Sequence, residues 1–229
     1  MKITSTNRDD GRHCVTLAPE QGGEPNPRLR DLLFDATVLG IPGDRQIAVA
    51  ALAFGSSLRG IIQTDLPVSP AMTQALTDFQ SPVFVSPRNI SFEGTQFTGT
   101  GTTFVLDLAH EGLVGRNRVD RGQIIALDIL PMTTWSGRLF SMGRLVAASN
   151  ADLHATIHRG GHPLGPVLAV ALAFAHELHV SRIVVPDGNL AEDPWIHRAT
   201  ELLAATGVDL VTVPREELHE LDLVEEDIS

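Results

Sequence analysis

The sequence predicts an α/β protein, mixed α+β through its N-terminal half and carrying a parallel βαβ unit in its C-terminal half. Two short Val/Ile-rich runs, 182–186 and 208–213, flank a segment that Asp193-Pro194 opens and Gly207 closes. Asp is a favoured cap, and Pro suits the first helical position because its missing N–H has no partner there. Strand, helix and strand at this spacing call for a crossover that leaves the two strands parallel. The first half instead alternates short β-type runs, Gly/Pro turns and amphipathic stretches. The expected division is 1–115, an α+β region with a hairpin and a β-rich meander, and 116–229, an α/β region. The boundary falls near 110–125, and one continuous domain fits the same pattern.

The elements follow in order. Asp10-Gly11 is a hairpin turn pair between two runs of β-formers. Asn26-Pro27 marks a helix start, with Leu29, Leu32, Leu33 and Ala36 on one face. Asp44 caps RQIAVAALAF, which fits a helix or a buried strand equally well. Residues 61–66 read as a strand, and Ser69-Pro70 starts a helix reaching about Phe79. From Pro82 to Leu108, PVFVS, NISFEG and TTFVLDL alternate with Gly-rich turns, a meander-like pattern. QIIALDIL, 123–130, is a strong strand, and β character returns at 144–147. Residues 166–178 form an apolar helix, and Pro214 opens a last helix before an acidic tail expected to fray.

Composition narrows the chemistry. Lys2 is the single lysine, which argues against a Walker-type phosphate loop, a Schiff base or a Ser–Lys dyad. One cysteine, Cys14, precludes an internal disulfide and any multi-cysteine metal site, and it reads as a small hydrophobe in a strand. A net charge of −11 with scattered arginines argues against nucleic acid. No apolar run reaches the roughly 18 residues that span a bilayer, and MKITSTNRDDGRH has no apolar signal core. The expectation is a cytoplasmic protein acting on a small molecule or a protein partner, with a homo-oligomer open.

Three places hold residues suited to chemistry. In DLHATIHRGGH, His154 and His158 share a face whether the segment is helix or strand, with Asn150 and Asp152 close by; His162 follows a Gly-Gly break. These three histidines are the candidate ligands for a divalent metal, and His158 is a candidate acid–base residue. The alternative is that they are structural, with His176 and His179 acting as cations at a helix end. The loop after the strand ending at 186 offers Asp187 and Asn189 as catalytic candidates lining a concave surface, because ligands of α/β sheets gather at the carboxyl ends of strands. Its carboxylates suit hydroxyls, a metal or an amine better than a phosphate. The third place is Asp107, His110 and Glu111, just past a strand. GTGTT at 99–103 lacks the order of a phosphate cradle and reads as a turn, and no G-x-S-x-G elbow occurs.

The run PLGPVLAVALAFAHELHVSRIVVPDGN, followed by GVDLVTVPREEL, resembles the closing helix–strand–strand portion of Lon-type and magnesium-chelatase-like domains. The same stretch is similar to the end of PP-loop nucleotide-binding domains. The first resemblance implies an α/β domain without proteolytic activity, since this helix has no lysine where the proteolytic relatives carry one. The second implies no nucleotide site, since the S-G-G-x-D-S loop is missing upstream. Two functions stay open: a small-molecule hydrolase using histidine and carboxylate, with or without a metal, and a non-catalytic binding or assembly subunit.

Overall fold

The computed structural model describes residues 1–20, 26–92, 101–115, 122–157, 161–221 and 223–225. Lys2–Asn7 (β1) and His13–Ala18 (β2) form the expected antiparallel hairpin around Asp10-Gly11. The helix expected from Asn26-Pro27 is instead a strand, Asp31–Phe34 (β3), antiparallel to β2. Leu32, Phe34, Ala36 and Val38 are the buried positions, a period of two that the helical reading of Leu29, Leu32, Leu33 and Ala36 overlooked.

Gly43–Phe54 is a helix (α1), which settles that ambiguous run, and Gly60–Ile62 a strand (β4). Pro70–Gln80 (α2) starts as expected, with the Ser69 hydroxyl accepting the Met72 N–H at 3.1 Å. The meander expected over 82–108 is not formed by the described residues. Val85–Pro87 (β5) pairs parallel with β4, and Thr102–Leu106 (β6) enters the main sheet parallel to both neighbours. Residues 93–100, including most of GTGTT's approach, lie outside the described residues.

Leu113–Gly115 (β7), Ile124–Pro131 (β8), Arg138–Phe140 (β9) and Arg144–Ser149 (β10) follow. Then come Ala151–Ile157 (α3), Gly165–Phe174 (α4), Val180–Val185 (β11), Pro194–Ala204 (α5) and Asp209–Thr212 (β12). β11 and β12 pair parallel through α5, as the capping signals predicted. The last helix is a short 3-10 stretch, Arg215–Leu221. The tail was expected to fray, yet Leu223–Glu225 (β13) pairs antiparallel with β7; residues 226–229 lie outside the described residues.

The nine-stranded sheet runs β1-β2-β3-β10-β8-β6-β11-β12, with β9 also on β10. From β6 the chain lays β8 and then β10 to one side, and β11 and then β12 to the other. Strand order therefore reverses beside β6, where crevices open at the carboxyl ends of parallel strands. One face of the sheet carries α1 and α4. α4 buries Leu168 through Phe174 without a break, against Ile125, Leu127 and Phe34 among others. Each fully buried Leu or Phe contributes about 1.5–3 kcal/mol relative to exposure. The other face holds a smaller cluster, Val105, Leu113, Ile124, Ala126, Val184 and Leu218. No helix among the described residues is long and apolar enough to cross a membrane.

Candidate functional site

β6 ends at Leu106, and the next seven residues turn tightly around one carboxylate. Asp107 is buried and accepts the N–H groups of Glu111, Gly112 and Leu113 at 3.0, 2.8 and 3.1 Å. Three backbone donors satisfy this buried carboxylate and fix the turn. Within it His110 takes a φ of 57°, a left-handed conformation uncommon outside glycine, and Gly112 follows at 77°. This backbone swings the imidazole of His110 across to β8, where its Nδ1 meets Asp128 Oδ1 at 2.6 Å.

Asp128 stands out in its strand. It is 3% exposed and, by alternation, faces the same side as Ile124 and Ala126. Its second oxygen accepts from Arg144 Nη2 at 3.2 Å, from the first residue of β10. A carboxylate so buried requires such donors. Because Asp128 accepts, Nδ1 of His110 is the donor, and in the neutral ring Nε2 then carries the lone pair. The His110 side chain is 44% exposed, and it lines a cavity of about 170 Å³ outside the carboxyl ends of β6, β8 and β10.

That cavity is walled by Leu108, Leu127, Ile129, Leu130 and Pro131 from the strand ends, and by α3 and the start of α4. Among the described residues, its other polar side chains are Asp107, Ser149 and Asp152, with no lysine or arginine. Ser149 is committed to structure, since its hydroxyl donates to Leu33 O at 2.8 Å and accepts the Ala151 N–H at 3.1 Å. The arrangement can take a proton from water or from a substrate hydroxyl at Nε2, with Asp128 orienting the ring.

A second cavity of about 160 Å³ lies where strand order reverses, lined by Asp107, Leu108, Glu111, Asp187, Arg215 and Leu218 among others. Asp187 thus faces a concave surface. Its carboxylate accepts the Asn189 N–H at 3.1 Å, while Asn189 itself is exposed and does not line the cavity. Arg215 pairs with Glu111 across it.

The histidine cluster is placed differently. His154 is wholly buried on α3, its Nε2 2.9 Å from Asp31 O and its ring edge-on to Phe54. Asn150, expected near a metal, instead accepts from Leu33 N and donates to Asp31 O, both at 2.8 Å. His162 stacks on Trp195 with centroids 4.3 Å apart, and its Nε2 lies 3.3 Å from Asp193. His154 and His162 thus serve separate partners, and His158 lies outside the described residues. Among the described residues no group of three or more His, Cys, Asp or Glu side chains is arranged to hold a metal ion. His176 was expected as a helix-end cation. Burial first, then Arg45 and His179, push it below its ordinary value and favour its neutral form.

Comparison with protein-family models, with curated proteins and with solved structures finds no match to this chain. Asp107, His110 and Glu111 were singled out as candidates, and the structure places Asp107 and His110 on one cavity and Asp107 and Glu111 on the other. Asp128 and Arg144 were not singled out, although one charged residue inside the apolar strand QIIALDIL was the available signal.

Proposed function

We propose that the protein is a small-molecule hydrolase in which His110, oriented by Asp128, activates a water molecule. The observation that carries this reading is the 2.6 Å His110–Asp128 contact beside a cavity at the carboxyl ends of parallel strands. Water is the nucleophile because Ser149, the hydroxyl nearest in kind, already donates to Leu33 O. Among the described residues the wall is apolar with carboxylates and no cationic side chain, which favours an uncharged or cationic ester or amide over a phosphate. A cavity of about 170 Å³ fits a short acyl group.

The test is turnover of short p-nitrophenyl esters and a choline ester against a phosphate monoester. His110→Ala is expected to lower kcat by about 10²–10⁴-fold, the usual contribution of a positioned general base, with little change in KM. Circular dichroism checks that the fold persists, which the exposure of His110 favours. Equal rates for the wild type and the variant on every hydrolysed substrate would remove His110 from the chemistry.

A further inference from the structure

The hairpin at the edge of the main sheet carries a second arrangement of reactive groups. Ser5 and Asn7 are two apart on β1 and so share a face, and Asn7 stands opposite His13 on β2. The Asn7 amide is fixed from both sides by Val38. Its Nδ2 donates to Val38 O at 2.7 Å, and its Oδ1 accepts the Val38 N–H at 3.0 Å. That orientation presents Oδ1 to His13 Nδ1, 2.7 Å away.

An acceptor at that place requires the His13 proton on Nδ1, which leaves the lone pair on Nε2. The hydroxyl of Ser5, 2.7 Å from Nε2, must then be the donor. Phe34 backs the imidazole with centroids 5.1 Å apart. His13 is buried while Ser5 is half-buried, and β1 is the terminal strand of the sheet. A hydroxyl bonded to a base, with the base held by a third group, is the geometry of an activated nucleophile.

We propose that Ser5 is the nucleophile of a second site, which accepts the acyl group of an activated ester. The Ser5 Oγ–acyl bond forms as the ester C–O bond breaks. The hydroxyl proton passes to His13 Nε2 and then to the departing alkoxide, giving acyl-Ser5 and an alcohol. Asn7 is a positioning residue that fixes the His13 tautomer. Burial pushes His13 down to about 4, so neutral imidazole is the standing base throughout the neutral range. Arg12, adjacent in the chain, and Glu177, which meets the residue after Val38, are engaged elsewhere. Arg12 pairs with Asp35 at 2.7 Å, and Glu177 beyond α4 accepts the Leu39 N–H. His176, from the same end of α4, is also shifted toward its neutral form.

The test treats the full chain with p-nitrophenyl acetate and locates acetyl groups by intact mass and peptide fragmentation. Hydrolysis at His110 leaves no adduct, so the two sites are read separately. The expected result is one acetyl on Ser5, absent in Ser5→Ala and about tenfold or more slower to form in His13→Gln. In the wild type its rate should change less than about threefold between pH 6 and 8, since a neutral base does not titrate there. Should His13→Gln fail to fold, Ser5→Ala and the pH profile decide the matter. Acetylation confined to Lys2, the N-terminus or other serines would overturn the proposal. So would a Ser5 rate that rises about tenfold per pH unit, the mark of attack driven by hydroxide alone.

Discussion

The imidazole of His13 is 2% exposed and pushed down to about 4 by loss of hydration. In the unfolded chain it returns to about 6.5, so between these values the unfolded state binds a proton that the folded state refuses. Stability from this residue is complete above about pH 6.5 and is lost as pH falls through about 4. Urea denaturation should show a loss of about 2 kcal/mol between pH 7 and pH 5, approaching about 3 kcal/mol near pH 4. A His13→Gln variant should lose most of that pH dependence over the same range; an unchanged slope would place it elsewhere. Residue-scale roles were the least legible part of the sequence. The four-residue repeat of His154 and His158 suggested a shared ligand, yet His154 is turned inward by Phe54 and Asp31. Spacing fixes direction on an element, and only the tertiary neighbours decide what waits there.

At the scale of elements, β3 and β10 meet through a seam that relies on side chains. Their register has a single pair, Ser149 with Phe34. Beyond it Asn150 supplies an acceptor to Leu33 N and a donor to Asp31 O, as a further strand residue would, and Ser149 donates to Leu33 O. Asn150 is 7% exposed, so Asn150→Ala leaves a buried N–H without its partner. The expected cost is about 1–3 kcal/mol in chemical denaturation, with hydrogen exchange at Leu33 accelerated above that of β2. Protection unchanged at Leu33 would show that the seam holds without it. Elements with local signals were legible: Asp193 caps α5 by accepting the Trp195 N–H at 2.7 Å, and Ser69 does the same for α2. β3 was missed because four buried residues at a period of two also contain a helical subset. The pairing of β4 with β5, and of β7 with β13, depends on partners far along the chain that no local pattern announces.

On the scale of the whole molecule, the main sheet draws strands from both sides of residue 115. β3 pairs with β10, and β6 lies between β8 and β11. Thermal unfolding followed by far-UV circular dichroism and by Trp135 and Trp195 fluorescence should therefore give one coincident transition. A fragment of residues 116–229 should show none, because β8 and β11 would each lack β6 along one edge. Two separable transitions in the full chain would instead mark independent units.

The central place of β6 also has a kinetic side. It precedes both of its partners in the chain, so each edge of TTFVL stands bare until residues 124–131 and 180–185 arrive. Parallel pairings across such separations close slowly, and an apolar strand with two open edges is a template for other chains in the meantime. Refolding yield should accordingly fall with protein concentration well before the native state shows any tendency to associate, the hazard lying in the wait and not in the finished fold.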